Sequence, residues 1–104
     1  MYEKIIFGAY KDAEIVALDG DTVKEFYVRN WENGDRYHPI GFAHEKKVKH
    51  LFSERKVQLS LRKQLPVIKD AAKKILWIPG LPPADHAKVK PSTKLFVFLI
   101  YKKK

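Results

Sequence analysis

Cysteine is absent from the 104-residue sequence. Disulfides, thiolate metal sites and cysteine catalysis are therefore excluded, and a reducing, cytoplasmic setting is expected. No apolar run approaches the length that spans a bilayer; residues 95–101 are apolar but too short and too β-prone. No membrane partner is expected. The start has no signal-peptide shape, because Glu3 and Lys4 interrupt it. Catalytic signatures are missing too: there is no Gly-x-Ser-x-Gly, no glycine-rich phosphate loop and no Gly-x-Gly-x-x-Gly. His38, His44 and His50 are spaced six apart, not one helical turn apart as paired metal ligands on a helix would be. They read as surface or capping histidines. Asp19, Asp21 and Asp35 sit at turns, where aspartate is common for local hydrogen bonding, so no carboxylate pair suggests hydrolysis. No catalytic residue, metal site or resident cofactor is expected of this chain.

What the sequence has in excess is positive charge. Twenty-one Lys and Arg oppose 12 Asp and Glu, a net charge of +9. A surface this basic attracts polyanions at long range. A solubility surplus, or the lysine-rich exterior of a thermophile, is the plain alternative. Length predicts a single domain over residues 1–104. A chain of this size buries roughly 60 to 68% of its unfolded surface, enough for one modest core. Six Phe, five Tyr and two Trp can fill much of it.

Neither an internal repeat nor a low-complexity linker is present. Strand-like runs cover residues 4–9, 14–18 and 25–28, the last two separated by the turn Asp19-Gly20-Asp21. Asn33-Gly34 is a tight turn, since both residues tolerate positive φ. Residues 45–56 predict a helix with Val48, Leu51 and Phe52 on one face, Lys46, His50 and Ser53 opposite, and Arg55 near the apolar seam, where it can snorkel. A second helix is expected over residues 60–65, capped by Ser60 and stopped by Pro66. Strands follow at residues 66–69 and 74–78, the latter ended by Pro79-Gly80. The unalternating run 94–101 predicts a last strand buried on both faces. The fold class expected is α+β, a small β-rich domain with two short mid-chain helices.

Residues 28–50 hold the densest chemistry. Arg29 and Arg36 flank the Asn33-Gly34 turn, and Lys46, Lys47 and Lys49 follow. Guanidinium groups grip phosphates with a planar fork, and ammonium groups act as point charges. Lysines in the first turn of a helix oppose its dipole, so an anion there would be doubly favoured. Each candidate also has a local explanation. Arg36 could pair with Asp35 or Glu32, Arg29 could brace the turn, and Trp31 could pack rather than stack on a base. Gly34 and Gly41 are explained by backbone geometry, Asp35 by turn organisation, and Pro39 by fixing the chain as it enters the helix. Arg62 and Lys63 on the second helix could extend the patch, Trp77 reads as core, and Lys102 to Lys104 read as a solubilising tail.

Taken in order, Leu18-Asp19, Val28-Arg29-Asn30-Trp31, Gly34-Asp35-Arg36-Tyr37-His38-Pro39-Ile40-Gly41, Lys46-Lys47-Val48-Lys49, Leu51-Phe52, Arg62, Leu65-Pro66-Val67, Ile75-Leu76-Trp77-Ile78-Pro79-Gly80-Leu81 and Lys88-Val89 form a pattern. It resembles the C-terminal domain of bacterial tRNA(Ile)-lysidine synthetases over about residues 17–90. The sequence departs from that pattern at Phe42-Ala43-His44-Glu45, at Arg55 and at Gln58. The resemblance implies an unusual β-sandwich shared with a module of phenylalanyl-tRNA synthetase β subunits. It implies a full-length ligase that joins lysine to the wobble cytidine of the AUA-reading tRNA(Ile). That enzyme uses ATP, with Mg, in an N-terminal PP-loop domain whose Ser-Gly-Gly-x-Asp-Ser motif has no counterpart in these residues. The expected partners are tRNA(Ile), held on its acceptor-stem side, and that N-terminal domain. The RNA-facing set it implies is Arg29, Arg36, Lys46, Lys47, Lys49 and Arg62. The alternative expectation is a protein-interaction module, such as a homodimer, pairing through the last strand.

Overall fold

The computed structural model describes residues 7–10 and 13–102, with side chains from residue 13 onward. Along this span five strands precede two short α-helices and three strands follow them, the strands forming three small antiparallel sheets. The first sheet has β1 (Phe7–Tyr10), β2 (Ala13–Asp19) and β8 (Phe96–Lys102), in the order β1-β2-β8. The second has β3 (Tyr27–Asn30), β6 (Pro66–Lys69) and β7 (Ile75–Trp77), in the order β3-β6-β7. The third is a two-residue pair, β4 (Arg36–Tyr37) with β5 (Lys46–Lys47). Helix α1 (Val48–Glu54) follows β5 directly, α2 is Leu59–Arg62, and a 3-10 turn spans Asp85–Ala87.

The β3-β6-β7 sheet is the middle layer, because successive strand residues face opposite ways. Val67 and Ile75 point into a cluster with Leu51, Phe52 and Val48 of α1. Ile68 and Leu76 point the other way, onto Val16 and Leu18 of β2, with Leu99 of β8 packed alongside. Tyr101 touches both clusters. The β-rich α+β class expected from the sequence is the one observed.

Polar contacts after the end of β2 fix where its partner strand β8 begins. Asp19, 2% exposed, accepts the Asp21 amide at 3.0 Å and the Thr22 hydroxyl at 2.9 Å. Burial alone would raise its pKa, but these donors and nearby Lys90 outweigh it and hold the carboxyl below its ordinary range. Asp21 then accepts the amides of Lys94 and Leu95, at 2.8 and 3.1 Å, which starts β8 beside the end of β2. A Cβ on Gly20 would stand 2.8 Å from the Leu95 carbonyl oxygen, so this close approach requires glycine.

Several expected boundaries move. The first helix was expected from residue 45, yet Lys46 and Lys47 are extended and pair with Tyr37 and Arg36. The Val48 amide donates to the Asp35 carbonyl at 3.0 Å, a non-local bond that the spacing of apolar residues does not encode. The helix ends two residues early because Lys56 turns left-handed, with φ +57°. Its amide donates to the Ser53 carbonyl and that of Val57 to the Phe52 carbonyl, closing the end. The second helix begins at Leu59, with Gln58 rather than Ser60 at its start and no side-chain cap. Strand β3 starts two residues later than expected, and β7 is shorter at both ends. The strand expected at residues 4–9 is seen as Phe7–Tyr10; residues 4–6 lie outside the described part. Strand β8 is not buried on both faces. Among the described residues it lies at a sheet edge, with Phe98 and Ile100 exposed, because only one of its faces meets the second sheet. Pro39 does not lead into the helix. It is buried, forms an isolated bridge with Ala84, and pins the β4–β5 loop to the segment before the 3-10 turn.

Phe52 is fully buried where α1 meets the middle sheet, with Trp31 edge-on at 5.8 Å and the Arg62 guanidinium 5.3 Å from its ring centre. Phe52→Ala is expected to cost about 3–5 kcal/mol, read by urea unfolding; a loss below ~1 kcal/mol would mean that α1 contributes little to the core.

Candidate nucleic-acid interface

The β3–β4 connection organises the cationic region. Asp35 closes the turn by accepting the Glu32 amide at 2.9 Å, and its own amide donates to the Glu32 carbonyl at 3.1 Å. Gly34, at φ +102°, supplies the left-handed step between them. Arg29 donates from both terminal nitrogens to the Asp35 carboxylate, at 2.7 and 2.9 Å, and also to the Asn30 carbonyl at 2.8 Å. The Asp35 carboxyl stays below its ordinary pKa although burial opposes this, because Arg29 and the Glu32 amide favour the charged form. The hydrogen bond to Asp35 likewise pushes Arg29 upward. The Arg29 fork is thus occupied by the turn it braces.

Arg36 follows on β4 and is exposed, with its Nε 2.9 Å from Glu45. Neither Asp35 nor Glu32 is its partner. Directly across the β4–β5 pair from Arg36 is Lys47. Like charges opposite each other on a sheet are destabilising, and Glu45 relieves this one only in part. Lys47, Lys49 and His50 rim a depression of about 300 Å³ whose other wall is the Asn33-Gly34-Asp35 turn. Lys46 faces the other way: it is half-buried and its ammonium lies 5.4 Å from the Phe42 ring centre.

Arg62, expected to extend the patch on the second helix, is instead buried, 8% exposed. Its Nε donates to the Val57 carbonyl at 2.9 Å, and its guanidinium covers the Phe52 ring. The path between the helices loops over it, which residue spacing does not reveal. Arg55 reaches the Gly80 carbonyl at 3.3 Å from the exposed end of α1. Trp31 packs on Phe52, and Trp77 is core, its indole N–H donating to the Leu81 carbonyl at 2.9 Å. Gly41 turns at φ +85°.

A larger groove, about 470 Å³, is lined by Arg36 and Glu45 together with Lys73 and Lys74 of the β6–β7 tip. These two lysines were not singled out from the sequence. Their doublet is visible there, but their nearness to Arg36 is not. Among the described residues no three His, Cys, Asp or Glu side chains come together as a metal site would require.

A family model described as the TilS substrate C-terminal domain matches residues 26–99. The chain belongs to that family. It is 49% identical over 55 residues to a tRNA(Ile)-lysidine synthase of Bacillus licheniformis, covering 53% of this chain and 12% of that protein. It is 42% identical over 74 residues to a bifunctional protein TilS/HprT of Listeria monocytogenes, covering 71% and 10%. It is 31% identical over 94 residues to a tRNA(Ile)-lysidine synthase of Caldanaerobacter subterraneus, covering 89% and 20%. The matched region is thus a fifth or less of each relative's length. A crystal structure of a TilS C-terminal domain superposes with a TM-score of 0.67 at 22% identity, over 88% of this chain and 84% of that one. An N-terminal fragment of the phenylalanyl-tRNA synthetase β subunit from Pyrococcus horikoshii gives 0.66 at 21% identity, over 86% and 27%. Both share the fold.

A carboxyl whose pKa is lowered by folding contributes stability above its unfolded pKa of about 3.9. That contribution fades as pH falls through the lower folded value. Asp35→Asn is therefore expected to lose about 1.5–3 kcal/mol at neutral pH. The gap to the parent protein should close in thermal melts taken from pH 5 down to strong acid. A gap independent of pH would show that the charge on Asp35 does not matter.

Proposed function

We propose that this chain is the tRNA-binding C-terminal portion of a tRNA(Ile)-lysidine synthase. It holds the acceptor-stem side of tRNA(Ile) through phosphates and is not itself catalytic. In this reading, ATP with Mg, and lysine, are handled by an N-terminal catalytic domain outside these residues, and the whole works in the cytoplasm. The relatives' names support the substrate. The observation that carries the binding reading is the exposed set Arg36, Lys47 and Lys49, two of whose charges are held opposite each other across a two-stranded pair. Such a pair is unfavourable in isolation and becomes favourable when an anion lies over it. An acceptor stem is an A-form duplex, recognised mainly by shape, phosphates and 2′-hydroxyls, which suits an exposed cationic ridge better than a deep pocket. Arg29 and Arg62 leave the contact set, because the turn and the core already use them, and Lys46 lies at its edge.

If about four phosphates are neutralised, tRNA affinity should fall with salt at a log–log slope of about −3 to −4. The double variant Lys47→Ala, Lys49→Ala should bind more weakly, with a slope shallower by ~2, and melt at the same or a higher temperature. A flat salt titration, or parental affinity in the variant, would remove this ridge from the site.

A second reading follows from β8. Phe98 and Ile100 are 41% and 59% exposed on a strand that is an edge among the described residues. Antiparallel pairing with a second copy about Leu99 sets Phe98 of one chain opposite Ile100 of the other. The strand is thus complementary to itself, as a two-fold interface requires. Sedimentation of the chain should show a dimer that Ile100→Lys dissolves. A protein monomeric at high concentration would instead assign this edge to further polypeptide.

A further inference from the structure

The β6–β7 tip is built around Asp70. Its amide donates to the Lys74 carbonyl and its carboxylate accepts the Lys74 amide, both at 2.9 Å, while its carbonyl accepts the Lys73 amide at 3.0 Å. This tight turn forces Lys73 to φ +67°, a conformation that glycine adopts without strain and a lysine does not. Strain alone does not mark a site: Lys56 has similar geometry where it ends α1. What separates Lys73 is its surroundings. With Lys74 it lines the same groove as Arg36. The acids nearby are already engaged, Glu45 by Arg36 at 2.9 Å, Asp85 by Lys88 at 3.3 Å and Asp70 by His86 at 3.2 Å. Among the described residues, neither Lys73 nor Lys74 has a carboxylate within ion-pair distance.

We propose that this groove, which Arg36 also lines, seats a second stretch of RNA backbone, with Lys73 and Lys74 contacting its phosphates. The inference rests on the tRNA-binding reading above and extends it from one ridge to two cationic walls. The β4–β5 pair grips one run of phosphates and the β6–β7 tip another, as a duplex lying across both would require. Lysine occupies a position where glycine would be more stable because its charge is used there. The Arg36–Glu45 pair is exposed on both sides, so a phosphate can take the place of Glu45 on Arg36 at little expense.

The test uses the chain as it is, with tRNA as the probe, comparing Lys73→Gly, Lys74→Gln and the double variant Lys47→Ala, Lys49→Ala. Lys73→Gly should melt at the same or a higher temperature yet bind tRNA several-fold more weakly, with a salt slope shallower by about one. Lys74→Gln should weaken binding without changing the melt. If the parent protein binds with a steep slope and the ridge variant is impaired, while both tip variants bind like the parent, the groove proposal is overturned and the ridge stands. If the parent protein does not bind tRNA, both fall.

Discussion

The bidentate contact between Arg29 and Asp35 is the constraint on which the cationic region depends. Through its side chain Asp35 fixes Arg29 on β3 and the Glu32 amide in the turn. Through its carbonyl it receives the Val48 amide at the start of α1. One residue therefore sets β3, the β4–β5 pair and the helix relative to one another. The pair is largely shielded from solvent, so its two charge-assisted bonds keep more of their strength than a surface ion pair would. Arg36 and Lys47 stand where they do because the residue between β3 and β4 is anchored.

The molecule separates two uses of positive charge. Arg62 and Arg29 are buried or half-buried, donate hydrogen bonds within the protein, and act as polar mortar between elements. Arg62 covers the ring of the central Phe52, so its guanidinium contributes packing as well as charge. Arg36, Lys47, Lys49, Lys73 and Lys74 are exposed and come from β4, β5, α1 and the β6–β7 turn, which converge around the Asn33-Gly34-Asp35 turn. Arginine is chosen where a fixed fork must be satisfied inside the protein, and lysine mostly where the charge must remain available outside.

Much of the fold was legible in particular residues. Val48, Leu51 and Phe52 marked the buried face of the first helix, and Pro66 and Pro79-Gly80 bounded the strands that became β6 and β7. Local signals failed where a distant partner decided. Lys46 and Lys47 fit a helical wheel, but Arg36 and Tyr37 offered them a strand. The apolar run 94–101 looked doubly buried, yet among the described residues one sheet covers it on one face. Arg62 looked like a surface residue of a short helix, and the loop from Arg55 to Gln58 folded it under.

By itself the sequence determined the strongly cationic composition and the β-rich character. Net charge, the absence of thiol and phosphate-loop chemistry, and the glycine- and proline-marked turns are properties of the chain that folding does not alter. Tertiary structure decided which of the cations are free. Whether a guanidinium or ammonium meets a carboxylate, an aromatic ring or open water depends on contacts between residues far apart in sequence, and periodicity within one element carries no information about them.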